Sequence, residues 1–283
     1  MMARVSSHTD LGDSGNAARA AAPLRVLHIY PKGDFFTGAA IQVCDLVRGL
    51  KARGHDVLLA TRSAPIWSTK SAEAGVTHYG LPMTSEIDLR SVARLIRVLR
   101  QHRIQVVHAH KGRARTLALL AGLVTRLPVL ILNRGVTFPL DTFNRLGYVT
   151  RRVTAVIAVC EAIKTQLVRS GVPTSKIHVI YSGTDTDRFH PGVDRTRIRA
   201  ELGLTPGEFL VTQIGVRAEK GNDDVMAAMA TVTARSPSGD LLVVAEGEVP
   251  QRLHVVDART GRILRSSSGT AMPRCCSSAR RRR

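Results

Sequence analysis

Short runs of apolar, often β-branched residues recur along most of this chain, and stretches with helical periodicity separate them. The runs cover 25–30, 56–61, 76–79, 104–108, 129–133, 155–159 and 177–181. Strands this apolar are buried on both faces, which requires a parallel sheet with helices on each side. The pattern therefore predicts an α/β fold built from right-handed βαβ units.

Four amphipathic segments predict helices between these strands. The first begins near Ala40 and ends before Gly54, a residue type that commonly follows a helix C-terminus. The others centre on 95–99, 117–124 and 163–168. Together with the strands, they predict one complete Rossmann-like parallel sheet domain over 25–182.

The pattern changes after residue 182. A stretch rich in Gly, Asp, Thr and Pro precedes an amphipathic piece at 194–202, and a strand, a helix and a second strand are predicted at 209–215, 223–234 and 241–245. We interpret 183–208 as an interdomain linker and 209–248 as an incomplete second βαβ domain.

The two ends of the sequence lack this rhythm. Residues 1–24 are rich in Ser, Ala, Gly and Asp, and we interpret them as a disordered leader. Periodicity is lost beyond Glu248, and 249–283 is predicted to be a basic unstructured tail. A frameshift near residue 248 would explain such a change, so we expect a truncated protein.

Charge narrows the choice of partners only slightly. The formal net charge is +19, of which the tail supplies +8 and the leader nothing, so +11 falls on 25–248. A positive charge on 25–248 suits binding of phosphate-bearing substrates or of an anionic membrane. It is equally explained by an Arg-rich, solvated basic surface. Specific nucleic-acid binding is not expected, because the four terminal Arg residues have no aromatic residues between them for stacking on bases.

The remaining composition points to an intracellular protein. No apolar run approaches the length that spans a bilayer, and no signal peptide begins the chain. We expect a cytoplasmic location, with peripheral contact at the inner face of the membrane as a hypothesis based on Leu146, Tyr148 and Val149 beside Arg145 and the Arg pair at 151–152. The four cysteines have no zinc or disulfide spacing.

Candidate site residues follow the predicted strands, where ligands bind in open parallel sheets. Gly38 opens a helix after the first strand and would let a phosphate or sugar approach backbone N–H groups, or forms a simple turn. Arg134 offers a forked donor after the fifth strand. Glu161 begins a helix after the sixth, where it caps that helix or faces the cleft.

His108 and His110 follow the fourth predicted strand and would point to the same side of an extended chain. Three interpretations are open: a shared metal, a core role for His108, or a hydrogen bond from His110 to a polar ligand. No carboxylate or third ligand lies nearby in the sequence, so we expect no metal.

In the second domain, Arg217 and Lys220 lie on a loop between a predicted strand and helix. Two cations there suit a diphosphate, although a basic surface turn would look the same.

Several segments together resemble glycosyltransferase family 4. Residues 179–191 read V-I-Y-S-G-T-D-T-D-R-F-H-P and are similar to the family's interdomain signature V-I-P-N-G-V-D-x-x-R-F; the E-K-G at 219–221 and the L-L-V-V-A-E-G at 241–247 agree with it. The resemblance covers about 25–248. It implies a GT-B fold of two Rossmann-like domains, with an N-terminal acceptor domain and a C-terminal nucleotide-sugar domain.

The resemblance also implies metal-independent, retaining transfer from a nucleotide-diphosphate sugar, without a cofactor. It implies that Arg217, Lys220 and Gly38 bind the donor diphosphate and that Arg134 and Glu161 line the acceptor cleft. We assign His110 to the same cleft from its position after the fourth strand. A phosphorylated or lipid-linked glycan acceptor and a role in lipopolysaccharide or cell-envelope glycan biosynthesis are expected from it.

Two departures from the family pattern affect the expected activity. Where many members carry a His after the fifth strand, this chain has Asn133 and Arg134, so either Arg134 substitutes or the acceptor chemistry differs. The Glu-x7-Glu pair that engages the donor is absent, since no Glu follows Glu248. We expect little or no transfer by this chain, and a non-catalytic acceptor-binding or regulatory module is the alternative.

Overall fold

The computed structural model describes residues 22–33, 37–202, 210–214, 224, 228, 241–246, 251–257 and 263–269. The chain divides into two compact units, Met1–Gly183 and Thr184–Arg283. The predicted leader lies outside the described residues except for 22–24, and so do Arg217, Lys220 and nearly all of the helix predicted at 223–234, of which Asp224 and Ala228 are described and helical.

The first unit contains a seven-stranded parallel sheet, as the apolar runs predict. Its strands are β1 (Arg25–Tyr30), β2 (Asp56–Arg62), β3 (Thr77–Leu81), β4 (Val106–His110), β5 (Val129–Arg134), β6 (Ala155–Ala158) and β7 (Ile177–Val179). Their order across the sheet is β3-β2-β1-β4-β5-β6-β7. The α/β, GT-B-like fold class is therefore confirmed for this unit.

Helices connect successive strands. They are α1 (Gly38–Ala52), α2 (Pro65–Glu73), α3 (Leu89–Gln101), α4 (Gly112–Val124), α5 (Thr142–Val149) and α6 (Glu161–Arg169), with a 3-10 turn at Thr174–Lys176. The sequence pattern predicts α1, α3, α4 and α6. It misses α2, which buries only Trp67 and Ser71 and so has no apolar stripe, and α5, which has eight residues.

Two hydrophobic cores lie against the sheet. Leu27 and Ile29 of β1 belong to the larger one, which also holds residues of α3, α4 and α6. Tyr30 belongs to a smaller core with residues of α1, β2 and α2. Because side chains alternate along a strand, His28 lies on the Tyr30 face of β1.

The fourth strand lies two residues later than its sequence pattern predicts. The Ile104 backbone N–H donates to the Leu99 carbonyl at 3.1 Å, so this apolar residue closes the C-terminal end of α3. The strand therefore runs from Val106 to His110 and contains both histidines, which the sequence pattern places at and beyond the strand end.

The second unit begins with α7 (Thr196–Leu202) and contains a four-stranded sheet. β8 (Leu210–Ile214) pairs in parallel with β9 (Leu241–Glu246), as a βαβ unit requires. β10 (Gln251–Asp257) then pairs antiparallel with β9, and β11 (Ile263–Gly269) pairs antiparallel with β10. The expectation of an unstructured tail is therefore wrong for these two stretches, because antiparallel hairpins need neither a crossover helix nor two apolar faces.

Candidate functional site

The strand order changes direction beside β1. The chain builds β2 and β3 outward on one side of β1 and then returns to place β4 on its other side. The helices that follow β1 and β4 therefore diverge, which leaves a crevice at the carboxyl ends of these two strands. This is the usual ligand position in open α/β sheets, and the polar residues around it form the candidate site.

Three histidines lie together at this point. His28 and His108 are cross-strand partners in the β1–β4 register, and His110 lies two residues further along the same face of β4. One ring nitrogen from each lies within 4.8 Å of the others, and His28 Nδ1 is 3.1 Å from His110 Nε2. We call these residues the histidine cluster.

All three histidines of the cluster are buried. Desolvation, followed by repulsion from His108, lowers the pKa of His28 well below the usual value, and desolvation together with repulsion from His108 and His28 does the same for His110. Desolvation also lowers the pKa of His108 to about 4. The rings are therefore neutral at pH 7, and each keeps one unprotonated ring nitrogen.

The statement that no third ligand lies near His108 and His110 is wrong, because β1 supplies His28. Sequence spacing cannot detect it, since His28 is 80 residues from His108 along the chain. The signal that could have found it is strand order: a Rossmann-like sheet places its first and fourth strands side by side.

Two residues with other roles stand at the same edge. The Tyr30 hydroxyl lies 3.0 Å from the Thr37 hydroxyl, which fixes the end of β1 against the start of α1. Lys111 Nζ lies 5.4 Å from the centre of the Tyr30 ring. Lys111 adopts φ 73°, in the left-handed region that a lysine rarely occupies, immediately before α4.

Gly38 is the first residue of α1 and is exposed. A Cβ atom built at this position would meet no heavy atom within 4 Å among the described residues. Nothing in the described part of the fold therefore requires glycine here, and a ligand contact at Gly38 stays a prediction.

Arg134 contacts the loop that follows its own strand. Its Nε donates to the Val136 carbonyl at 3.1 Å, its Nη2 donates to the Phe138 carbonyl, and the guanidinium lies 5.9 Å from the Tyr148 ring centre. The side chain thus orders the segment after β5, and an acceptor contact from it stays a prediction.

Glu161 does not cap its helix through a side-chain hydrogen bond. Cys160 is the N-cap residue of α6, and Glu161 is the first helical residue, 3.6 Å from Lys164 in an exposed ion pair. The negative charge still suits the positive end of the helix dipole. A contact from Glu161 into the cleft stays a prediction.

The expected membrane-facing group does not form one surface. Leu146 is 62% exposed, but Tyr148 is 3% exposed and packs against the Arg115 guanidinium, 5.1 Å from its ring centre. Arg145 donates to the Ser170 carbonyl and Arg152 to the Gly122 carbonyl. The inclusion of Tyr148 in that surface is therefore wrong.

The sequence profile of Glycosyltransferase Family 4 matches residues 36–188, which is more than half of the chain and includes the sheet from β2 to β7. The chain belongs to glycosyltransferase family 4. The candidate site thus lies at the carboxyl edge of a sheet whose strands β2 to β7 fall within the family match.

Relatives with higher identity match over shorter segments. A D-inositol 3-phosphate glycosyltransferase of Rhodococcus erythropolis is 40% identical over 78 residues, covering 27% of this chain and 17% of the relative. One from Segniliparus rotundus is 46% identical over 72 residues, covering 25% and 16%. These matches therefore span less than a fifth of either relative.

Solved structures resemble a larger part of the chain. A glycosyltransferase from Rickettsia africae has a TM-score of 0.65 at 16% identity, covering 76% of this chain and 59% of that one. Anabaena Alr3699/HepE in complex with UDP-glucose has a TM-score of 0.60 at 18% identity, covering 77% and 60%. At such identities the likeness shows the shared fold. The chain thus spans about three fifths of the length of these two structures.

Among the described residues of this family 4 chain, no helix is both long and apolar enough to cross a bilayer. The expected diphosphate clamp of Arg217 and Lys220 lies outside the described residues, so it stays a prediction.

Proposed function

We propose that the first unit is the acceptor-side domain of a glycosyltransferase that takes a sugar from a nucleotide-diphosphate sugar, with retention of configuration. The family match over 36–188, which includes β2 to β7 of the sheet, carries this proposal. The resemblance of the fold to a structure solved with UDP-glucose supports a uridine diphosphate sugar as the first donor to test.

The proposed acceptor is a small phosphorylated polyol or a phosphate-bearing lipid-linked glycan. The inositol phosphate glycosyltransferases among the relatives support a phosphorylated polyol, as does the cation of Lys111 at the end of β4. A phosphate ester gains charge-assisted hydrogen bonds from Lys and Arg that an uncharged polyol lacks. A general role in cell-envelope glycan synthesis is a wider proposal that depends on this one.

Calorimetric titration of the 283-residue chain with inositol 3-phosphate, and separately with inositol, tests the acceptor class. We expect the phosphate ester to bind at least tenfold more tightly. Lys111→Met should weaken its binding by about tenfold, or ~1.4 kcal/mol. Lys51→Met makes the same charge change in the exposed last turn of α1 and should have no effect. Equal binding of inositol and its phosphate would refute the phosphate proposal.

We propose that Arg217 and Lys220 bind the donor diphosphate. UDP-glucose binding by the wild-type chain should decrease in Arg217→Ala and Lys220→Ala. It should not change in Arg259→Ala, which removes a cation elsewhere in the second unit. Unchanged UDP-glucose affinity in both loop variants would assign these cations to an ordinary surface turn.

A non-catalytic acceptor-binding module is the second candidate. One observation favours it: no Glu follows Glu248, so this polypeptide lacks the Glu-x7-Glu pair that the family resemblance implies for the donor. We therefore propose that the 283-residue chain binds acceptor but transfers sugar slowly or not at all. Radiolabelled transfer from UDP-glucose to inositol 3-phosphate measures this, and rapid turnover would establish the chain as an active enzyme instead.

A peripheral contact with the inner face of the membrane is a further proposal, and the exposed Leu146 and the basic surface support it. The chain should sediment with vesicles containing phosphatidylserine at low salt and be released at high salt. Leu146→Ser should reduce the sedimented fraction, whereas Leu46→Ser, on the exposed face of α1, should not. Absence of sedimentation at low salt would remove this proposal.

A further inference from the structure

The histidine cluster has the composition of a transition-metal site. His28 comes from β1 and His108 and His110 from β4, so two adjacent parallel strands hold the three rings on one face of the sheet. Because the β1–β4 ladder fixes the backbone, the three Cα atoms cannot separate without breaking the centre of the sheet. Such rigid support from strands is what a metal site requires.

The distances suit a single ion. Two nitrogens bound to one tetrahedral zinc at about 2.0–2.1 Å are about 3.3–3.4 Å apart. His28 Nδ1 and His110 Nε2 are 3.1 Å apart, close to this value. The three candidate ligand nitrogens all lie within 4.8 Å of one another.

The chemistry of the donors selects the class of metal. Three neutral imidazoles favour Zn²⁺, Cu²⁺, Ni²⁺ or Co²⁺ over Mg²⁺ and Ca²⁺, which prefer oxygen ligands. No described carboxylate or cysteine belongs to the cluster. His108 Nε2 is buried without a hydrogen-bond partner in the described part of the chain, so this nitrogen is available to bind an ion.

We propose that His28, His108 and His110 bind one Zn²⁺ ion at the β1–β4 crevice. Three protein ligands leave a fourth position for water or for an oxygen of a bound anion. The ion would then fix the end of β4, where Lys111 and α4 begin, and offer a positive charge beside the proposed acceptor position. The zinc site goes beyond the proposed sugar transfer, which needs no metal. The proposal of a zinc site does not depend on that transfer.

Metal content of tag-free protein tests the proposal directly. After treatment with a chelator and dialysis, the chain is titrated with Zn²⁺ and, separately, with Co²⁺, whose visible absorption reports tetrahedral nitrogen coordination. We expect each chain to bind one equivalent of Zn²⁺ or, in the separate titration, of Co²⁺. A content below one tenth of an equivalent, in protein with native circular dichroism, would overturn the proposal.

Variants identify the ligands. His28→Gln and His110→Gln should each lower bound Zn²⁺ at least tenfold and abolish the Co²⁺ spectrum. His78→Gln is the matched control: His78 lies on β3, in register with His28 through Leu59, and its Nε2 is 2.9 Å from the Thr61 hydroxyl. Retention of metal by both cluster variants, or equal loss in the control, would place the metal elsewhere.

A measurement on the wild-type protein covers the case in which the variants do not fold. X-ray absorption of the Zn²⁺-loaded chain counts imidazole ligands from their characteristic multiple scattering. Three imidazoles and one oxygen are expected. One imidazole, or sulfur in the coordination shell, would refute the proposed ligand set. Neither result depends on acceptor binding or transfer, so the failure of this proposal and the failure of the proposed function are separable.

Discussion

Single side chains determine how the polar edge of the sheet is held together. Asp88 is an example: as the N-cap of α3 it accepts hydrogen bonds from the backbone N–H groups of Arg90 and Ser91, and it also accepts from the backbone N–H and hydroxyl of Thr84. Desolvation raises the pKa of this carboxyl, but the hydrogen bonds from Thr84 and Ser91 outweigh it and lower the pKa to about 2.

Replacement of this cap should destabilise the first unit. We expect Asp88→Ala to lower the free energy of unfolding by about 1–2 kcal/mol, because the backbone donors at the start of α3 lose their acceptor. The control is Asp45→Ala, which breaks an exposed i,i+3 pair with Arg48 and should change stability by less than about 0.5 kcal/mol. Urea unfolding measures both, and equal effects would show that the cap contributes nothing special.

The histidine cluster should make stability depend on pH. The pKa of each histidine in the folded protein lies below the value of about 6.5 expected in the unfolded chain. At a pH between these two pKa values, the unfolded state therefore binds more protons than the folded state. In metal-free protein, the contribution of the neutral histidines to the free energy of unfolding should therefore be complete above pH 6.5. It should fall towards pH 4, by up to about 1.4 kcal/mol per pH unit for each histidine. Urea unfolding at several pH values measures this slope, and His108→Gln should make it shallower. A flat profile would contradict the neutral, buried state of these rings.

At the scale of elements, burial rather than residue type decides what a position contributes. Leu95 of α3 is 1% exposed and belongs to the larger core, whereas Leu123 of α4 is 66% exposed. Trp67, the one tryptophan of the chain, is buried in α2 and donates from Nε1 to the Lys32 carbonyl at 2.8 Å. Its fluorescence therefore reports unfolding of the first unit.

Identical substitutions at the two leucines should differ widely. Leu95→Ala should lower the free energy of unfolding by about 2–5 kcal/mol, because it leaves a cavity between α3 and the sheet. Leu123→Ala should change it by less than about 0.5 kcal/mol. Trp67 fluorescence during urea unfolding follows both variants. Similar losses would mean that α4 is covered at Leu123 in solution.

Two helical glycines offer a second test of packing. A Cβ at Gly147 of α5 would lie 2.6 Å from Arg115 Nε, in a side chain held by hydrogen bonds to Asn144. Gly147→Ala should therefore destabilise by about 1–3 kcal/mol despite its better helix propensity. At Gly49 of α1, a Cβ meets only the end of the Arg53 side chain at 3.3 Å, so Gly49→Ala should stabilise by up to about 1 kcal/mol. Thermal unfolding distinguishes the two signs.

At the scale of the molecule, the first unit has the features of an independent folding unit. Its seven strands are paired and its two cores lie within Met1–Gly183. The end of the unit is tied back to its beginning, because Gln42 of α1 donates to the Ser182 hydroxyl at 2.6 Å. A domain with its own core and paired strands is expected to fold alone.

We therefore expect residues 1–183, expressed alone, to unfold cooperatively with the Trp67 emission and urea midpoint of the same unit in the full chain. The fragment should also keep the Zn²⁺ stoichiometry, since all three histidines lie within it. A fragment without a cooperative transition would show that the second unit is needed for the first to fold.

The sequence by itself determined the class of fold and most of its elements. All seven strands of the first unit lie within about two residues of their apolar runs, because strands buried on both faces of a parallel sheet are largely apolar. The linear pattern failed where an element has no apolar stripe, as in α2, and where antiparallel strands need only one apolar face, as in β10 and β11.

Only the tertiary structure decided how the candidate site is composed. Spacing within the chain relates residues a few positions apart, so it put His108 and His110 on one side. It could not relate them to His28, because that contact exists only once β4 has crossed over to pair with β1. The same limit applies to Tyr148, whose partners Arg115 and Arg134 belong to other elements of the fold.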